Sequence, residues 1–228
     1  MYEERRSRLP GAVVWRRTVP ADGVVHRVLP DGCLDLIWVD GRLLIAGPDT
    51  GAYLPASVPG ATYAGVRFPP GTGPSVIGLP ASEVRDRRVP LADAWPPGLV
   101  RRLTERVGLS GDPGAALEDI AGSRFREAGP PDRAAAAIVH QLRAGASVST
   151  TADAVGLTER ALHRRSLTWF GYGPKTLARI LRMNRALGLA RTGAPFAEVA
   201  VAAGYADQAH LAREVRALAG VPLGVLVG

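Results

Sequence analysis

Two hydrophobic periods divide the chain. Up to about residue 95, apolar positions come in short runs broken by Gly and Pro. Residues 11–16, 24–29, 33–39, 42–46 and 62–68 each read as a strand. Asp40-Gly41 between two apolar runs signals a hairpin, because both residue types tolerate positive φ. Pro30-Asp31-Gly32, residues 47–51 and Pro69-Pro70-Gly71 read as turns. Many short strands with frequent turn residues predict a small barrel or sandwich, with the strand order left open. Residues 81–86 predict a short helix capped by Ser82. From residue 99 the spacing turns helical. Leu99, Val100, Leu103 and Val107 share one helical face, and Leu117, Ile120, Ala121 and Phe125 share another. These read as an α-hairpin, available for dimerisation or for packing on the strands. Gly129-Pro130-Pro131 is the linker candidate, after which Asp132 caps a helix carrying Ile138, Val139 and Leu142.

One helical pattern is then written twice. Ala152 and Gly156 recur 48 positions later as Ala200 and Gly204. Leu162, Arg164 and Gly171 recur 49 positions later as Leu211, Arg213 and Gly220. A small residue four before a glycine lets two helices cross closely, and the glycine ends the first in the left-handed conformation. Thr158 or Asp207 then caps the second helix, whose leucine packs back on the first. This is the pattern of a helix-turn-helix, whose second helix enters the DNA major groove. Between the copies, residues 174–192 predict one long helix opened by Pro174. At 1.5 Å per residue it spans roughly 28 Å, close to the ~34 Å between successive major grooves on one DNA face.

Charge follows the same division. The formal net charge is +7, with 16 Lys+Arg against 15 Asp+Glu in residues 1–131 and 12 against 6 in residues 132–228. The excess therefore lies with the duplicated helices, as a polyanion partner requires. The single cysteine excludes an internal disulfide and a cysteine zinc cluster. No apolar run reaches membrane-spanning length, and the charged start does not look like a signal peptide. A cytoplasmic location without membrane association is expected.

Residues 132–222 resemble the AraC/XylS family of bacterial transcription regulators. The resemblance is carried by Leu157-Thr158-Glu159-Arg160-Ala161-Leu162-His163-Arg164, Gly171-Tyr172-Gly173-Pro174, Arg182-Met183-Asn184-Arg185, the run from Val199 to Glu214, and Gly220-Val221-Pro222. It implies seven helices, with two helix-turn-helix units joined by one long helix. It also implies DNA contact by Arg160, His163 and Arg164 in the first unit and by Gln208, Ala209, His210 and Arg213 in the second. His163 and His210 are expected at matched surface positions. Ser166 departs from the phenylalanine usual in the family, a space open to Trp169 or Phe170. Leu29-Pro-Asp-Gly-Cys33-Leu-Asp35-Leu-Ile-Trp38 and Gly65-Val-Arg67-Phe68 are similar to small cupin-like sensor domains, which implies effector binding or dimerisation.

The expected class is α+β: a β-rich cupin-like barrel or sandwich plus an all-α domain with two helix-turn-helix motifs. Residues 1–97 form the sensor or dimerisation domain, 98–131 the hairpin and linker, and 132–228 the DNA-binding domain. Arg160 and Arg164 suit guanine edges and Gln208 suits adenine. Trp15, Trp38, Tyr63, Arg67 and Phe68 are candidates for an effector pocket, with core packing as the alternative. Double-stranded DNA is the expected partner, and a small effector and a homodimer are further candidates. No cofactor or metal is expected, and no enzymatic activity. The enzymatic alternatives are a cupin-like metalloenzyme using His26, Asp31, Cys33 and Asp35, and a methyl acceptor at Cys33. The first lacks histidines, since only His26 of four lies in the β-rich half, and the second lacks a cysteine cluster. An architectural protein without sequence choice is the third class.

Overall fold

The computed structural model describes residues 1–21, 27–56, 58–129 and 131–228. Among the described residues six strands form one antiparallel sheet: β1 (Tyr2–Arg6), β2 (Val13–Thr18), β3 (Leu34–Val39), β4 (Arg42–Ala46), β5 (Thr62–Phe68) and β6 (Arg88–Pro90). The strand order is β1-β2-β5-β3-β4-β6. The β3–β4 hairpin turns on Asp40 and Gly41 at φ 46° and 73°, both positive as a tight hairpin with right-twisted strands demands. The long excursion between β4 and β5 lets β5 insert between β2 and β3.

Alternation decides which face is covered. Val14, Leu34, Leu36, Ile45, Ala64, Val66 and Phe68 share one face and are buried. The helices α3 (Pro97–Gly108) and α4 (Pro113–Ala128) complete that core through Val107, Leu117, Ile120 and Ala121. Each large aliphatic side chain so buried stabilises the fold by about 1.5–3 kcal/mol. Short helices α1 (Gly73–Ile77) and α2 (Ala81–Val84) close one end. On the opposite face the Trp15 indole lies across Gly65, where a Cβ would collide with the ring, and its Nε1 donates to Asp35 at 2.6 Å.

Several details differ from the pattern-based expectations. Tyr2–Arg6 is a strand although it lacks apolar alternation. It is held by β2 and by Arg5, Ser7 and the Arg8 amide, which all donate to the buried Glu118 carboxylate. Pro80, not Ser82, occupies the N-cap of α2, and no side chain caps it. Of the strand expected over residues 24–29, Val24, Val25 and His26 lie outside the described residues; Val28 makes an isolated bridge to Tyr53. Pro130 of the expected linker also lies outside them.

The second half is helical: α5 (Arg133–Arg143), α6 (Val148–Ala154), α7 (Glu159–Phe170), α8 (Pro174–Arg191), α9 (Phe196–Ala203), α10 (Gln208–Ala219) and α11 (Leu223–Val227). Asp132, Ser147, Thr158 and Asp207 each accept a backbone N–H at the start of the helix that follows, a contact worth about 1 kcal/mol. Pro174 occupies the first turn of α8, where its missing N–H costs nothing. Ile138, Leu162, Phe170, Leu177, Ile180, Met183, Val199, Leu211 and Val215 meet in one buried cluster. The long α8 runs through it.

Candidate nucleic-acid interface

The two repeats fold alike because the same atoms close the same turn. In the first, the Leu157 amide donates to the Ala152 carbonyl at 2.9 Å; in the second, the Tyr205 amide donates to the Ala200 carbonyl at 2.8 Å. Gly156 and Gly204 sit at φ 65° and 84°, the left-handed state that permits this closure. Ala152, Ala200, Leu162 and Leu211 are all buried at the helix crossings. The second helix of each unit therefore has an inner face fixed by packing and an outer face left free.

On α7 the outer face carries Glu159, Arg160, His163, Arg164 and Arg165; on α10 it carries Gln208, Ala209, Ala212, Arg213 and Arg216, all exposed. Counting from the caps, Arg160 matches Ala209 and Arg164 matches Arg213. His163 matches Ala212, and His210 matches Ala161, so the two histidines are not equivalent as expected. Their roles also differ. The His163 ring lies over Gly173, where a Cβ would come within 2.7 Å of it. The His210 ring stands edge-on to Tyr205 at 5.2 Å, and its Nδ1 accepts from the Ala206 amide at 3.4 Å. His210 thus serves the turn of its own unit.

The basic residues divide into free and structural groups. Arg179 pairs with Glu214 through Nε at 2.8 Å and Nη2 at 3.1 Å. Arg182 approaches the same carboxylate at 3.7 Å and stacks over Tyr205. The Arg179 hydrogen bond holds Glu214 below the usual carboxylate range. These two arginines tie α8 to α10. Ser166 is fully buried, and its hydroxyl finds no hydrogen-bond partner among the described residues. Phe170 is buried in the core with Trp169 edge-on to it at 6.2 Å.

The five effector-pocket candidates do not all line one space; of them Trp15 and Trp38 border a common cavity of about 630 Å³, and Tyr63, Arg67 and Phe68 do not. Trp38 and Phe68 lie on the sheet face covered by α3 and α4, with the Trp38 ring beside Gly108. Trp15, Tyr63 and Arg67 lie on the other face. There Arg67 Nε sits 3.3 Å from Asp35 and 3.6 Å from Asp31, and the nearby Asp35 is held up by burial against the pull of Arg67. A groove of about 910 Å³ opens between the two halves, walled by Pro10, Pro69, Pro70, Phe125 and Val139. Pattern reasoning passed over it, since its wall is assembled from prolines of separate turns. Among the described residues no cluster of three or more His, Cys, Asp or Glu is placed to hold a metal ion. No helix among them is long and apolar enough to cross a membrane.

Two helix-turn-helix units in one chain, joined by a single central helix and each offering a free, basic outer face, define a DNA-binding protein of the bipartite kind. Residues 151–226 match the family described as a helix-turn-helix domain, and residues 12–90 match a domain of unknown function (DUF6597). No curated protein matches the chain. Among solved structures, an apo form of a ToxT variant from Vibrio cholerae is similar with a TM-score of 0.51 at 10% identity, covering 97% of this chain and 98% of that one. ToxT from Vibrio cholerae O395 is similar with a TM-score of 0.50 at 10% identity over 100% and 98% of the two chains. ToxT bound to an unsaturated fatty acid gives 0.50 at 10% identity over 97% of each. At that identity the likeness establishes the fold. The chain thus joins an AraC-type helix-turn-helix domain, over residues 151–226, to an N-terminal sheet domain matched over residues 12–90, the make-up of a DNA-binding transcription regulator.

Proposed function

We propose that α7 and α10 read two successive major-groove segments of one operator. Arg160, His163 and Arg164 act from α7, and Gln208, Ala209, His210 and Arg213 act from α10. The observation that carries this reading is the matched exposure of Arg164 and Arg213 at the same depth along helices whose opposite faces are fully buried. A guanidinium there can pair with guanine O6 and N7, and Gln208 with adenine. Because His210 is engaged with its own turn, its contact is with phosphate rather than a base edge. The chain works in the cytoplasm, where its DNA target lies, and acts by binding rather than by catalysis. Two features favour this over the enzymatic alternatives. Burial, with Asp31 and Asp35 adding, pushes the Cys33 thiol well above its ordinary range, which disfavours the thiolate that methyl transfer requires. The metalloenzyme reading leans on His26, which lies outside the described residues, and it has no second histidine in the β-rich half to draw on.

Control by a small effector through the sheet domain completes the proposal. One ToxT structure of the same fold holds an unsaturated fatty acid, and the sheet face bearing Trp15, Tyr63 and Arg67 offers aromatic walls beside a cation. A homodimer would double the number of reading helices, and sedimentation of the DNA complex reports it. The decisive experiment is selection of bound duplexes from a random library, followed by titration of the Arg164→Ala/Arg213→Ala variant. Loss of one base contact costs about 1–3 kcal/mol, so the double variant should bind the selected duplex at least about tenfold more weakly. Wild-type affinity in that variant would remove α7 and α10 from the DNA face.

A further inference from the structure

The sheet domain meets the helical domain at the ends of both reading helices. Arg85, in the turn after α2, donates from Nη1 to the Gly171 carbonyl at 3.0 Å. Gly171 is the left-handed residue that ends α7. Arg27 donates from Nη1 to the Ala219 carbonyl at 2.9 Å. Ala219 is the last residue of α10, directly before the left-handed Gly220. The neighbouring Leu218 carbonyl accepts from the Ala52 amide at 2.8 Å. Between the two ends, Asn184 of α8 donates to the Pro30 carbonyl at 2.9 Å. Gly171 and Gly220 are separated by the same 49 positions that relate Leu162 to Leu211. One arginine thus stands at matched ends of the two repeats, although the arginines themselves lie far apart in sequence.

The last carbonyls of a helix have no partner within it, and the aligned peptide dipoles leave partial negative charge there. A guanidinium donor at that end makes a charge-assisted bond with a fixed direction. The Arg85 contact also falls at a joint, because Gly171 opens the turn into α8, whereas Arg27 holds the second unit at its far end. Each unit is linked to α8 through a short glycine-bearing turn, residues 171–173 on one side and 192–194 on the other. These are places where a rigid unit can rock about the helix that carries it.

We propose that Arg27 and Arg85 are positioning residues for DNA recognition. By gripping the C-terminal end of each reading helix, the sheet domain fixes the angle between the two readers. That angle sets the separation of the two operator segments the chain accepts. Spacing selectivity is then a property of the whole chain and not of α8 alone. The proposal rests on α7 and α10 being the readers, and the two can fail separately. A failed reading appears as wild-type affinity in Arg164→Ala/Arg213→Ala, whereas a failed brace appears only in the spacing profile.

The test uses the full chain and duplexes selected by it from a random library. Each selected duplex is remade with its two contacted segments moved apart or together by single base pairs. The wild type should lose at least about tenfold in affinity on respacing, equivalent to about 1.4 kcal/mol. Arg27→Ala/Arg85→Ala should lose that penalty and bind the respaced duplexes nearly as well as the parent, while Arg27→Lys and Arg85→Lys restore part of it. An unchanged spacing profile in the double alanine variant overturns the proposal, and so does a uniform loss on all duplexes. Should the double alanine variant fail to fold, the single lysine variants carry the test. They are expected to broaden the profile partly, and an unaltered profile in both overturns the brace.

Discussion

Single residues here combine opposing physical effects, and Glu118 is the clearest case. Its side chain is only 3% exposed, and burial alone would raise its pKa. Hydrogen bonds from Arg5, Ser7 and the amide and guanidinium of Arg8 outweigh that and lower it to about 2. A carboxylate depressed in the folded state contributes stability that is fully present above its unfolded pKa, near 4.5 for Glu118. That contribution is lost as pH falls toward about 2, and linkage sets it at up to about 3 kcal/mol. Denaturant unfolding from pH 7 downward should therefore show stability falling through that window. Glu118→Gln should be less stable at neutral pH and show a flatter acid limb; equal slopes in the two proteins would remove Glu118 from the acid response. Little of this was legible in the sequence. Tyr2-Glu3-Glu4-Arg5-Arg6 has no apolar alternation, so its strand state comes from β2 and from a carboxylate more than a hundred positions away. Tertiary pairing, not local propensity, decides such a segment.

At the scale of elements, the paired helices were legible because each position carried its own independent reason. The caps Thr158 and Asp207, the glycines, and the buried Leu162 and Leu211 each signal the same unit, and each lies where the pattern put it. The short α1 was missed because Gly73-Pro74 within a glycine- and proline-rich stretch reads as a turn, although Pro suits a first helical turn. The left-handed glycines separate by their surroundings. A Cβ on Gly204 meets nothing within 4 Å, whereas one on Gly171 would lie 2.8 Å from the Pro48 ring and 3.1 Å from the Ala81 carbonyl oxygen. Gly204→Ala should therefore cost only the left-handed penalty, about 1–2 kcal/mol. Gly171→Ala should cost distinctly more, because it also pushes the two domains apart. Thermal unfolding of both variants checks the order, and an equal loss would mean that the Pro48 contact yields freely.

Taken whole, the molecule concentrates its positive charge in the half that carries the paired helices. The segment 132–228 holds 12 Lys+Arg against 6 Asp+Glu, while residues 1–131 are nearly balanced at 16 against 15. Arg179 and Arg182 are engaged with Glu214, so the working excess lies on α7, on α10 and along the exposed rim of α8. This sets two expectations for titrations over a range of salt. Replacing an arginine that neutralises a phosphate should lower the slope of log K against log salt by about 0.9, whereas replacing one that reads a base should leave the slope and relax the sequence preference. The second expectation concerns coupling. Arg164 and Arg213 lie on helices separated by the 18-residue α8, about 27 Å long, and share no partner. If both readers engage one duplex at once, the free-energy losses of Arg164→Ala and Arg213→Ala should add to within about 0.5 kcal/mol. If one unit alone binds, one substitution should carry the whole loss and the other none. Measuring the two single variants and the double variant on the selected operator, at a fixed salt concentration, separates these outcomes, and a silent Arg213→Ala would reduce the bipartite reader to a single helix-turn-helix.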